Sequence, residues 1–135
     1  MHHRALVWRL ALAAAPLALP LSLSGCFLIA AGAGAAGAIA YTNRGATSDV
    51  AGTVDDVFGR AVSAFRGAGI SETGRSSEDN GTKRKLVGSK GEQEVTVELT
   101  RSNATTTKVE VVAKKNAVDY DKELAKDVLN RILQK

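Results

Sequence analysis

Residues 95–113 read VTVELTRSNATTTKVEVVA. Apolar and polar residues alternate in two runs of this stretch, Val95 to Thr100 and Val109 to Ala113, which is the pattern of half-buried strands. The polar turn between them, Ser102 to Thr106, is too short for a crossover connection, so it predicts antiparallel neighbours. The stretch therefore predicts a sheet with one apolar face, which needs a covering layer.

Two further strands are predicted upstream. Ile70 to Ser77 and Thr82 to Gly88 flank a turn that contains Asn80-Gly81, a strong hairpin signal. Short links between all four strands favour an antiparallel meander. The polar segment Arg44 to Gly52 has Val50 as its single large apolar residue, and an edge strand there is an open alternative.

Helices are predicted on both sides of these strands. The first starts after a Thr53 cap with Asp55 and Asp56 in its first turn, and Gly67 and Gly69 end it. The second runs from about Asp119 to Leu133. Residues with helical spacing form the apolar stripe of the first helix: Val54, Val57, Phe58, Ala61, Val62, Phe65 and Ala68. The stripe of the second comprises Tyr120, Leu124, Val128 and Ile132, with Ala125, Leu129 and Leu133 beside it. We expect an α+β two-layer sandwich over residues 44–135, a four-stranded antiparallel sheet with two helices on one face.

The N-terminal residues 1–25 have the pattern of a lipoprotein signal peptide. A basic n-region, Met1 to Arg9, precedes an apolar h-region, Leu10 to Leu21, and Leu23-Ser24-Gly25-Cys26 closes the segment. This tetrapeptide resembles the bacterial lipobox, which implies cleavage before Cys26 and acylation of its thiol, with palmitate as a typical chain. The alternative is one uncleaved membrane helix from Leu10 to Tyr41, which Pro16 and Pro20 disfavour.

Residues 26–43 are predicted to form a lipidated, Ala/Gly-rich, membrane-proximal segment. Its apolar run Phe27 to Tyr41 has 15 residues, fewer than the ~20 that a helix needs to span a bilayer. Residues 32–37 read GAGAAG, which matches the G-x-G-x-x-G pattern of a dinucleotide-binding loop. Too few residues separate this segment from Cys26 for the first strand of a βαβ unit. We therefore expect no cofactor.

Composition argues against catalysis and nucleic-acid binding. Cys26 is the single cysteine, and His2, His3 and Trp8 would leave with the leader. The mature chain would then lack histidine and a free thiol, the usual general base and soft nucleophile, so we expect no catalytic and no metal residues. Leaving out Arg4 and Arg9 of the leader, 16 basic residues face 14 acidic ones, which is too small an excess to indicate a nucleic-acid partner.

The polar candidates have both functional and structural interpretations. Asp55 and Asp56 are adjacent acids, but the start of a helix favours capping and dipole roles. Glu92 and Glu94 share a strand face without an identifiable third ligand. The run Lys83-Arg84-Lys85, with Lys90 and Lys114-Lys115, suits either anionic headgroups or the solvated faces and edges of strands, and the strand interpretation is favoured.

The whole pattern resembles a widespread family of small bacterial lipoproteins whose domain has no known function. The resemblance depends on the lipobox, the Ala/Gly run ending in Ala40-Tyr41, the first helix ending before Gly69-Ile70, and the Val-rich strand pair. The segment from Asn116 to Lys135 is longer and more charged than is typical of the family. The resemblance implies a lipoprotein with an α/β domain, and it implies no activity.

Two functional classes remain. We expect a membrane-anchored, non-catalytic domain that binds an envelope protein or polymer. The alternative is a tethered module for a small molecule or lipid held between helices and sheet. Phe27 follows Cys26, whereas Asp at that position typically retains lipoproteins in the inner membrane of enteric-type bacteria. The resemblance therefore implies the outer membrane, with the domain facing the periplasm.

Overall fold

The computed structural model describes residues 37–134, and Cys26 and the leader lie outside the described residues. Six strands and two helices follow one another in the order β1, β2, α1, β3, β4, β5, β6, α2. The strands are β1 (Ala40–Tyr41), β2 (Gly45–Ala51), β3 (Ser71–Glu78), β4 (Lys83–Lys90), β5 (Gln93–Asn103) and β6 (Thr106–Lys114). The helices are α1 (Val54–Ala68) and α2 (Lys122–Leu133).

Helix α1 begins and ends at the residues that its sequence predicts. The Thr53 hydroxyl accepts from the Asp56 backbone N–H, and the Asp56 carboxylate accepts from the Thr53 backbone N–H, which completes a capping box. At the other end Gly69 adopts φ 70°, the left-handed conformation that glycine tolerates best, and its N–H bonds to the last turn. The predicted first helix is confirmed.

Helix α2 is shorter than predicted. It begins at Lys122 because the Asp121 side chain accepts from the Leu124 backbone N–H and caps it there. Tyr120 precedes the helix and forms a β-bridge with Lys114. The apolar stripe of α2 is otherwise as predicted, with Ala125, Val128, Leu129, Ile132 and Leu133 buried.

All neighbouring strands are antiparallel, in the spatial order β1-β2-β6-β5-β4-β3. Strands β3 to β6 form the predicted meander. Both helices pack against one face of the sheet and against each other. The core between the layers includes Phe65, Leu86, Val97, Val111 and Leu129, each at most 2% exposed.

The prediction of a four-stranded sheet is wrong, since the sheet has six strands. Strand β2 lies between β1 and β6, and its seven residues pair with β6 from Gly45–Val112 to Ala51–Thr106. The short β1 then covers part of the free edge of β2. The sequence of β2 lacks a clear apolar alternation, because the polar Ser48 occupies one of its three inward positions, between Ala46 and Val50.

The sheet thus extends into the segment that the sequence analysis assigned to the tether. Ala40 pairs with Thr47, and Tyr41 with Ala46. The Ser48 hydroxyl also donates to the Ala38 carbonyl at 3.0 Å, so the chain is fixed to β2 before β1 begins. Among residues 37–134, neither helix has the length and apolar character needed to cross a bilayer.

Candidate functional site

The sheet face opposite the helices is uncovered, and we call it the open face. Alternation places every second residue of the central strands on it, since the intervening residues are buried under the helices. Across β4, β5 and β6 these are Lys83, Lys85, Val87, Ser89, Glu94, Thr96, Glu98, Thr100, Lys108, Glu110, Val112 and Lys114. The open face is therefore a broad surface on which charged and β-branched side chains are mixed.

Cross-strand ion pairs organise much of this charge. The Lys85 ammonium lies 3.0 Å from the Glu98 carboxylate, and the Lys114 ammonium lies 3.1 Å from that of Glu94. These side chains are 41–55% exposed, so each pair contributes little to stability in water. Their main effect is to fix where positive and negative groups lie on the face.

One pair of residues breaks this complementarity. Glu98 of β5 lies directly opposite Glu110 of β6, and like charges in that position are destabilising. Lys85 offsets the charge of Glu98, whereas Glu110 belongs to none of the ion pairs among the described residues. Glu110 therefore has no cation within ion-pair distance at the centre of the open face, although Arg44 lies in the same region.

Two surface grooves adjoin Glu98. The larger, about 360 Å³, lies toward β3 and is lined by Ser76, Glu78, Lys83, Lys85 and Thr100, among others. The smaller, about 130 Å³, is lined by Arg44, Thr96, Glu98, Glu110 and Val112. The smaller groove thus combines the charged side chains Arg44, Glu98 and Glu110 with the β-branched Thr96 and Val112.

The predicted basic run is divided between two faces. Lys83 and Lys85 lie on the open face and pair with Asp79 and Glu98. Arg84 points to the helix side, where its Nη1 donates to the Asp55 carboxylate at 2.6 Å. These three consecutive residues do not form one basic patch, which favours the strand interpretation over headgroup binding by this run.

Arg84 covers one end of the core instead. Its guanidinium lies 3.9 Å from the ring centre of Phe58, close enough for a cation–π contact. Its Nε is buried and has no hydrogen-bond partner among the described residues. Arg75 of β3 approaches the same ring at 5.6 Å and bonds to Glu72, whose pKa is lowered by the hydrogen bond from that guanidinium.

The other polar candidates have structural roles. Asp56 belongs to the capping box, and the hydrogen bond from the Thr53 side chain lowers its pKa. Asp55 serves as the ion-pair partner of Arg84. Glu92 lies in the turn between β4 and β5, whereas Glu94 lies on the open face, so the two do not form a joint carboxylate site. Within residues 37–134, no cluster of acidic, histidine or cysteine side chains has metal-binding geometry.

Sequence reasoning did not identify the Glu98–Glu110 pair or the grooves beside it. Both glutamates alternate with buried aliphatic residues, which indicates an outward position. Their direct opposition depends on the strand register, and a bulge between Arg101 and Asn103 shifts that register near the turn. The alternation could have placed both on one face, but not opposite each other.

The chain belongs to the family described as "Protein of unknown function (DUF3568)", whose model matches residues 6–134. No curated protein matches the chain. The match confirms the resemblance to a family with a domain of unknown function and assigns no activity to any residue.

Proposed function

Given membership of a family without a known function, we propose that this chain is a bacterial lipoprotein precursor with a non-catalytic, partner-binding domain. Cleavage before Cys26 and acylation of its thiol would anchor the domain to a membrane. The support is the basic and apolar leader that ends in Leu23-Ser24-Gly25-Cys26. Two or more acyl chains give stable attachment, so no spanning helix is required.

The proposed location is the periplasmic side of the outer membrane. Phe27, and not Asp, follows the lipidated cysteine, and in enteric-type bacteria this favours transport from the inner to the outer membrane. A domain on such a tether meets proteins held at the same membrane at a raised local concentration, which lowers the intrinsic affinity that binding requires.

The open face is the proposed binding surface, and the partner is an envelope protein. The observation that supports this best is the uncovered sheet face with two grooves that share Glu98. Its charges are mixed, which disfavours a uniformly anionic polymer and suits a protein surface of mixed charge. A partner cation placed over Glu110 would relieve the repulsion between Glu98 and Glu110.

The alternative, a small molecule between helices and sheet, has less support. That layer is occupied by core side chains, with Val97, Leu99, Val111 and Leu129 at most 1% exposed. A ligand there would have to displace close-packed side chains. A native mass spectrum showing a retained small molecule, unaffected by changes on the open face, would favour this alternative.

Photo-cross-linking in intact envelopes tests the proposal. A photoreactive residue at Thr96, on the open face, should yield a discrete adduct, whereas one at Ser63, exposed on α1, should not. Glu110→Lys should abolish the adduct, because it reverses the charge of a carboxylate that has no ion-pair partner among the described residues. The same change should leave stability equal or raise it by about 0.2–1 kcal/mol, since Lys would then oppose Glu98.

A loss of the adduct in a folded Glu110→Lys variant would support a partner that recognises the charge of Glu110. Equal adducts from Thr96 and Ser63, or an adduct insensitive to Glu110→Lys, would contradict the proposed surface. Thermal unfolding of each variant, followed by circular dichroism, excludes misfolding as the cause.

A further inference from the structure

The large hydrophobic side chains exposed among residues 37–134 are Tyr41, 54% exposed, and Val118, 85% exposed. Both lie toward one end of the sheet. Tyr41 ends β1 beside the start of β2, and Val118 lies in the link between β6 and α2. We call this the Val118 end. The opposite end carries the tight turn at Ala104 between β5 and β6.

An ordered loop holds Val118 in this exposed position. The Asn116 side-chain oxygen accepts from the backbone N–H groups of Val118 and Asp119, both at 3.0 Å. The Lys115 N–H donates to the Asp119 carbonyl at 3.0 Å, and the Tyr120 hydroxyl donates to the Ala117 carbonyl at 3.2 Å. These hydrogen bonds fix the conformation of the loop, and this conformation holds the Val118 side chain in an exposed position.

Charges of both signs surround this end. Lys114, Lys115 and Lys126 lie there together with Glu94, Asp119 and Asp121. A surface with exposed apolar side chains among charges of both signs fits the boundary of a bilayer, where apolar acyl chains lie below a layer of charged headgroups. Tyr41, with the Lys126 ammonium 5.7 Å from its ring centre, has the amphipathic character of residues found at headgroup level.

The tether is long enough for this end to reach the membrane. Ten residues, 27–36, separate Cys26 from Gly37, and an extended chain spans up to ~3.3–3.6 Å per residue, or about 35 Å. Gly37 lies beside the Asp49 backbone, toward the opposite end of β2. About five residues of strand, roughly 17 Å, therefore separate it from the Val118 end, which is well within that reach.

We propose that the Val118 end rests on the bilayer that holds the lipid of Cys26, with Val118 and Tyr41 at the depth of the headgroups. This inference depends on the proposed lipid anchor. The anchor makes the contact intramolecular in effect, so a small apolar surface is sufficient. The strands would then stand steeply on the membrane, with the open face directed sideways and accessible to a partner.

Tryptophan fluorescence offers a direct test, because Trp8 leaves with the leader and the mature chain has no other tryptophan. Val118→Trp and, as matched control, Ala104→Trp place one indole at each end of the lipidated, full-length mature protein. Both sites are exposed, so neither change disturbs the core. The proteins are reconstituted in vesicles of phosphatidylethanolamine and phosphatidylglycerol with brominated acyl chains.

Emission from Val118→Trp should fall at least about twofold relative to non-brominated vesicles and shift to shorter wavelength, because the indole lies near the boundary of headgroups and acyl chains. Emission from Ala104→Trp should not change. Since the proposed contact is made by apolar side chains, added salt should leave most of the quenching in place.

Equal quenching at both positions, or none at Val118→Trp, would overturn the inference. A second result would also overturn it: the indole of Val118→Trp is protected from an aqueous quencher in native envelopes but not in vesicles. That result would indicate a protein partner at this end. The mass of the N-terminal peptide is measured first. An unlipidated Cys26 refutes both the anchor and this inference, whereas a lipidated Cys26 with an unquenched Val118→Trp refutes the inference alone.

Discussion

Phe65 and Gly88 determine how closely α1 approaches the sheet. Phe65 is 2% exposed. A Cβ at Gly88 would lie 2.7 Å from the Phe65 ring and 2.7 Å from Ile70, so β4 provides the space for both side chains by having no side chain there. The stripe on α1 identified Phe65 as a core residue from sequence alone. The matching role of Gly88 depends on the contact between two elements and could not be predicted.

Phe65→Ala should therefore lower the free energy of unfolding by about 3–5 kcal/mol, the usual cost of removing a buried Phe side chain. Ser63→Ala, exposed on the same helix, is the control and should change it by less than about 0.5 kcal/mol. Urea unfolding of both variants measures the difference. A loss below about 1 kcal/mol for Phe65→Ala would contradict the packing described for α1.

Asp121 should make the free energy of unfolding decrease at acidic pH. The backbone hydrogen bond from Leu124 and the side-chain bond from Gln93, at 2.7 Å, lower its pKa below the ordinary 3.8. Its contribution to stability is therefore fully present above 3.8 and is lost as pH falls from there through the lower folded value. Asn caps helices about as well as Asp, so Asp121→Asn should retain the cap and lose this dependence.

Urea unfolding of the wild type and Asp121→Asn at a series of pH values measures the effect. The two curves of stability against pH should converge as the pH falls below 3.8. Curves that stay parallel through that range would show that the carboxylate does not favour the folded state.

At the scale of elements, β1 and β2 show where sequence reasoning reached its limit. Strands β5 and β6 have clear alternation and both helices have apolar stripes, whereas β3 was indicated by the Asn80-Gly81 turn that follows it. Strand β2, GATSDVA, contains small and polar residues and is a strand because it pairs with β6 along its whole length. The backbones of β2 and β6 approach each other so closely at Gly45 that a Cβ there would lie 1.9 Å from the Val111 carbonyl oxygen. Such pairing comes from tertiary contacts and not from local propensity.

The pairing of β1 with β2 predicts a difference in stability between two truncated chains. A chain that starts at Gly37 should be more stable than one that starts at Thr42, by about 1 kcal/mol for the packing of the partly buried Ile39 against the core. The shorter chain also loses the Ser48–Ala38 hydrogen bond and exposes the edge of β2. Thermal unfolding compares them, with Ile39→Ala in the longer chain as the control for packing alone. Equal stabilities would show that β1 does not contribute to the sheet.

At the scale of the whole molecule, the domain has two separate surfaces. The open face presents charged grooves around Glu98, and the Val118 end presents two exposed hydrophobic side chains. The proposed functions use both, one for a partner protein and the other for the membrane. Sequence patterns indicated the anchor and the two layers, whereas both surfaces became visible only once register and loop conformation were known.

The lipid on Cys26 is the central claim, and the intact mass of the protein recovered from outer-membrane fractions tests it most directly. We predict a chain that begins at Cys26 and carries the added mass of a diacylglyceryl group and an N-terminal acyl chain. Cys26→Ala should remain an uncut precursor that is absent from that fraction. A wild-type chain that retains residues 1–25, or one that begins at Cys26 with an unmodified thiol, would contradict the account.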